Sequence, residues 1–132
     1  FIHYAYPGAN SVNNYDFNEV YASFGYMAAP GIDCGLSVNY SNDFWGGSGA
    51  ATFIQGTIGY KVEGTPVSVS GSLGRQNVKD NTAYGVEDYN VFGFEASYAV
   101  SDALSVSANY SKTDLSGDAG DNKLFVSVSA SF

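Results

Sequence analysis

Basic residues are scarce in this sequence: five Lys and Arg stand against thirteen Asp and Glu, for a formal charge of −8. Nucleic-acid binding needs a basic stripe to meet phosphates, so that class of function is excluded. A single cysteine, Cys34, cannot close an internal disulfide, which removes the small stapled secreted folds. Histidine is as thin. A Ser-His-Asp or Cys-His centre would have to be built around His3 alone, and a strand residue facing a lumen or an interface is the better reading. No run approaches the ~18 apolar residues of a membrane helix, so a bilayer can be crossed only by a closed barrel. Helix formers at 3.6-residue spacing are missing too, which sets aside a helical bundle. Phe1 is not preceded by a charged n-region or a small-residue cleavage site, so any signal peptide is expected to lie outside this sequence.

What remains is rich in glycine, serine, tyrosine and valine, and the 132 residues suffice for one all-β domain spanning 1–132. Eight strand-like runs are expected, at about 1–6, 16–27, 32–41, 50–62, 66–75, 89–100, 103–112 and 123–132. Tight turns join some of them, at AAPG around Pro30, EGTP around Pro66 and VSDA around Asp102. The other connections are long and polar: PGANSVNNY, SNDFWGGSG, QNVKDNTAYGVED and TDLSGDAGDNK. Short turns on one side and long loops on the other is the plan of an antiparallel up-and-down transmembrane β-barrel, short side periplasmic.

The two faces of each strand differ in kind. Ile32, Cys34, Leu36, Val38 and Tyr40 alternate with Asp33, Gly35, Ser37 and Asn39. Leu104, Val106, Ala108 and Tyr110 alternate with Ser105, Ser107 and Asn109, and the chain closes on KLFVSVSASF in the same manner. A soluble sandwich turns Lys, Glu and Arg to water. Small Ser, Gly and Asn suit a lumen where side chains converge, leaving the apolar face for lipid. Tyr26, Tyr60, Tyr98 and Phe132 fall on that apolar face just before the expected periplasmic ends, in the weak repeat ASFGY, GTIGY, EASY and SASF. Such rings form an interfacial belt, and Tyr6, Tyr40 and Tyr110 supply a second one at the upper ends.

The closing strand with its final Phe132 resembles the signal by which the outer-membrane assembly machinery recognises its clients. Beyond that, Tyr4-Ala5-Tyr6-Pro7, then Glu19-Val20-Tyr21, then Tyr40-Ser41 ahead of Asp43-Phe44-Trp45, resembles the TorF-like porin family over most of the chain. The resemblance implies an outer-membrane barrel without catalytic residues or cofactor. It also implies about four further strands before the Tyr-Pro step, hence about twelve in the full-length barrel. The short first run agrees, since ~9–11 residues are needed to cross a bilayer.

Most candidate chemistry is better read as architecture. DLSGDAGDN brings Asp114, Asp118 and Asp121 near one another, but lacks the alternating acidic spacing and terminal Glu of a calcium loop, so an acidic solvated loop is expected and no metal is assigned. NDFWGGSGA is a glycine-rich turn without the Lys-Ser/Thr of a phosphate loop. Strand parity turns Glu95, Lys61, Asp33, Glu19, Gln55 and Asn109 to the polar face as lumen-lining candidates, and Tyr21, Phe53 and Phe125 with them. Pairing Leu36 with Ile58 sets Asp33 opposite Lys61 as an expected cross-strand ion pair. Glu95, flanked by uncharged serines, needs a partner or water.

The sequence therefore reads as a non-enzymatic barrel of the bacterial outer membrane, a porin passing small solutes or cations. A non-conducting structural or partner-binding barrel is the competing reading. The expected partners are outer-membrane lipid, small solutes and the assembly machinery, with no nucleic acid.

Overall fold

The computed structural model describes residues 1–8, 15–80 and 87–131. Eight strands, β1 (Ile2–Tyr4), β2 (Phe17–Ala29), β3 (Ile32–Ser41), β4 (Ala51–Lys61), β5 (Val67–Val78), β6 (Tyr89–Ser101), β7 (Leu104–Thr113) and β8 (Lys123–Ala130), form one antiparallel meander in chain order. There is no α-helix among the described residues; two 3₁₀ turns, Trp45–Gly47 and Gly117–Gly120, lie in the long loops. The strand runs expected from alternation lie within a few residues of these limits. β1 is shorter and β5 longer than expected, and PGANSVNNY and QNVKDNTAYGVED fall partly outside the described residues. One expectation is met only in part: β1 and β8 do not pair with each other, so the eight strands make an open sheet rather than a closed barrel.

The hairpin ends repeat. Pro30-Gly31 joins β2 to β3 in two residues, Pro presetting φ and Gly31 taking φ 76°, which a Cβ would disfavour. The pairing skips a residue between Met27 and Ala29, and again between Ala99 and Ser101 before the equally short Asp102-Ala103 turn. Each of these bulges adds twist beside a tight turn.

Register then slides steadily across the sheet. Tyr26, Cys34, Ile58, Gly71, Phe94, Tyr110 and Leu124 stand opposite one another in a single row. From that row β2 runs nine residues toward the long loops, back to Phe17, whereas β8 runs one, back to Lys123. In the other direction β2 runs three residues, to Ala29, and β8 six, to Ala130.

Burial is inverted relative to a soluble domain. Large apolar side chains are exposed along one face, including Phe24 (67%), Leu124 (79%) and Val126 (71%). The few buried residues, among them Phe17, Ser41, Ala51, Gln76 and Val78, cluster at the long-loop end of the other face, around which the sheet curls. The chain exposes 8849 Å², against about 6,700 Å² for a compact protein of this mass. With somewhat more than half of that excess apolar, at ~25 cal/mol per Å² it still outweighs the ~5–15 kcal/mol net stability of a typical domain. The exposed face needs a cover.

Close packing on the inner face is confined to particular places. A Cβ on Gly74 would come within 2.6 Å of Phe53 Cζ and 2.8 Å of Val91 Cγ1, whereas one on Gly25, also on the inner face, would meet nothing within 4 Å. Gly74→Ala is therefore expected to lower stability by ~1–3 kcal/mol through displaced rings, while Gly25→Ala leaves it unchanged or slightly raised. Equilibrium urea unfolding of the two variants checks the contrast.

Candidate functional site: the polar face and its aromatic mouth

Because pairing is direct across the sheet, one polar residue fixes the face of its row. Lys61, Ser68, Ser97, Ser107 and Ser127 make one such row. Asp33, Gly59, Ser70, Glu95, Asn109 and Phe125 make the next, and Ser37 with Gln55 stands two rows beyond. All six lumen-lining candidates share this face, Glu19 being joined to it by the 2.6 Å hydrogen bond from Asn39 Nδ2 to its Oε1. Tyr21 and Phe53 share it as well, opposite Asn39.

The expected Asp33–Lys61 pair does not form. Leu36 lies opposite Gly56 rather than Ile58, so Asp33 faces Gly59, and the Lys61 amide donates instead to Gly31 O at 2.8 Å. The cause is the β3–β4 connection, where Phe44 N–H donates to Gly49 O at 2.8 Å and Ser41 pairs with Ala51. A slip of two residues keeps every side chain on its face and moves only the partners.

Glu95 lies between Ser70 and Asn109, beside a hollow of about 140 Å³, and makes no hydrogen bond or ion pair among the described residues. The Asn109 amide turns away from it, Nδ2 donating to Ser107 Oγ at 3.0 Å and Ser127 Oγ at 3.2 Å.

On the opposite face stand Tyr26, Tyr60 and Tyr98, each one row further along the slide than the last, with Tyr40 and Tyr110 toward the long loops. Tyr110 Oη donates to Asn122 Oδ1 at 2.9 Å. Phe132 lies outside the described residues. Cys34 is a free thiol on this face between Tyr26 and Ile58. Tyr6 departs from the expected ring: it stacks near Phe17 at 6.4 Å and so belongs to the inner side, since Tyr4, opposite Phe17, shares that face. His3, one residue over, pairs outward with Asn18 through Nδ1 at 2.8 Å.

The aromatic mouth was not legible in the sequence as a group. Phe17 is the hub, stacked on Tyr4 at 4.4 Å and tilted against Phe44 at 4.8 Å, while Tyr15 lies flat on Trp45 at 4.7 Å. Phe17, Phe44 and Trp45, together with Tyr6 and Tyr89, border a pocket of about 550 Å³. The clue was FNEVY and NDFWGG both bringing aromatics to strand ends, but their meeting depends on the loop that joins β3 to β4.

Two carboxylates fasten the rim. Asp88 Oδ1 accepts from Val78 N–H at 2.8 Å, with Arg75 3.6 Å from its other oxygen. Asp114 accepts from Asn90 N–H and from Asn90 Nδ2, both at 2.6 Å. Those bonds, backbone first, hold its carboxyl below the usual carboxylate range, and the Arg75 charge adds to them. Asp118 and Asp121 do not join it: Asp121 N–H donates to the Asp118 carbonyl, and no group of three or more metal-ligating side chains occurs among the described residues. A depressed carboxylate pKa stabilises the clamp above the unfolded value of 3.8 and loses that contribution as pH falls through the lower folded value. The Asn90 amide resonance is expected to stay fixed from neutral pH down to about pH 4 and to move only below it; in Asp114→Asn that acid transition is gone.

No curated protein and no solved structure matches the chain. A family model described as "Bacterial protein of unknown function (Gcw_chp)" matches residues 1–132, and the chain belongs to that family.

Proposed function

We propose that this chain forms the membrane-spanning sheet of a bacterial outer-membrane β-barrel that passes small solutes or cations by passive diffusion. The inverted burial carries the reading. An apolar face left uncovered by any other described element, backed by a face of Ser, Gly and Asn, fits lipid outside and water inside. The steady slide of register supports closure, because strands in a barrel tilt and their ladder must stagger in one direction. Tyr26, Tyr60 and Tyr98 match an interfacial belt, with Arg75 and Lys112 at the other margin of the same face where their stems reach headgroup depth.

An open lumen calls for strands beyond these eight, about twelve in all, since eight would close on a lumen filled by side chains. The resemblance to TorF-like porins points the same way. Glu95 supports a wet interior: a carboxylate without partner is far cheaper hydrated than dry, and it favours cations. Insertion would run through the outer-membrane assembly machinery. The competing non-conducting barrel draws on one observation, the Phe53 ring packed over Gly74 on the inner face.

Planar-bilayer conductance of the full-length protein tests the reading, with cation-selective channels expected and selectivity about halved in Glu95→Gln. A silent bilayer holding folded protein overturns it in favour of the structural barrel. In intact outer membranes Cys34 is expected to react with a lipid-soluble maleimide and to resist a membrane-impermeant one; fast labelling by the latter would remove the lipid-facing assignment.

A further inference from the structure

At the long-loop end of the polar face, five aromatic side chains and one carboxylate line a single pocket. Tyr6, Phe17, Phe44, Trp45 and Tyr89 border the pocket of about 550 Å³, and among the described residues Glu87 brings the only charge to its wall. That volume falls within the range of small-molecule sites. The wall is preset by packing. Phe17 is 8% exposed, pinned between Tyr4 and Phe44, and Trp45 has one ring face covered by Tyr15 yet keeps 36% of its surface open.

Neighbouring charges are already engaged. Asp88 is held by Arg75 and the Val78 amide, and Asp114 by Asn90. Arg75 stands on the other face of the sheet, in the row of Ile54 and Asn90, and Lys123 Nζ donates to the Asp118 carbonyl at 3.3 Å. Glu87, on the pocket wall itself, makes no hydrogen bond or ion pair among the described residues. Ring faces carry the negative side of the aromatic quadrupole, and with a carboxylate beside them they attract a cation and repel an anion. A neutral sugar would stack on the same rings but gain nothing from the unpaired charge.

We propose that this pocket binds a small organic cation through its ammonium group, Glu87 supplying the counter-charge and the rings the enclosure. The proposal rests on the outer-membrane reading only for the direction in which the mouth faces; binding itself needs no open lumen.

Trp45 is the only tryptophan of this sequence, and the part of the emission change that is lost in Trp45→Phe reports on the pocket it borders. Full-length protein folded in non-ionic detergent is titrated with choline, with the uncharged alcohol in which carbon replaces the choline nitrogen, and with maltose. A saturable change with choline alone is expected, about tenfold weaker in Glu87→Gln and in Tyr89→Leu, and unchanged in Glu63→Gln at the opposite end. No saturable change with choline overturns the proposal. So does an equal response to the uncharged isostere, which marks an apolar hollow only, a tighter response to maltose, which marks a sugar site, or full affinity in Glu87→Gln. Conductance measured in parallel separates the two readings: choline binding with a silent bilayer removes the diffusion pathway and leaves the pocket, while channels without binding do the reverse.

Discussion

Everything in this protein depends on the two-residue period of the strand held in register from one strand to the next. Direct pairing carries each residue's facing across the sheet, so that Tyr26 at one end of a row and Leu124 at the other look the same way. One odd slip in any hairpin would carry Ser and Gly to the apolar side and Leu and Phe to the polar side for the rest of the meander. The bulges after Met27 and Ala99 do introduce a one-residue shift, Ala29 meeting Ile32 and Ser101 meeting Leu104, but it is confined to the last pair before each tight turn, so the rest of each hairpin keeps its parity.

The two ends of the sheet divide the work. At the short-turn end, Pro30-Gly31, the 62–66 connection and Asp102-Ala103 close hairpins with little more than backbone bonds, such as Val62 N–H to Val67 O at 3.0 Å. The long-loop end is where side chains fasten. Asp88 and Asp114 tie the tops of β5, β6 and β7 through backbone amides, and the rings around Phe17 fill the concavity that the curling sheet leaves. The acidic composition thus has two local meanings: some carboxylates are structural acceptors, whereas Glu87 and Glu95 stay unpaired toward the inner side.

Inverted burial and the unpaired carboxylates point to the same physical requirement from opposite faces. Apolar area of this extent is stable only against lipid or another apolar surface, and ionised groups on the inner face are stable only against water or a cation. A sheet that meets both conditions at once would separate two media, and the proposed diffusion pathway rests on that requirement.

The strands, their order and the facing of residues within them were legible in the sequence, because alternation is a local property: Leu36 and Ser37 must point apart whatever else the chain does. The facing of Glu95, Cys34 and Tyr98 follows from that parity alone. The partners were not legible. Asp33 meets Gly59 instead of Lys61 because the turn within 42–50 sets the β3–β4 register, and Tyr6 leaves the outer ring because Phe17 draws it inward. Nor does alternation contain the open edge between β1 and β8, or the meeting of Tyr6, Phe17, Phe44, Trp45 and Tyr89 with Glu87 at one pocket. Which side of the sheet a residue takes is fixed by its own backbone, and so by sequence; what it touches there depends on loop closure between residues far apart in the chain, and only the tertiary structure decides that.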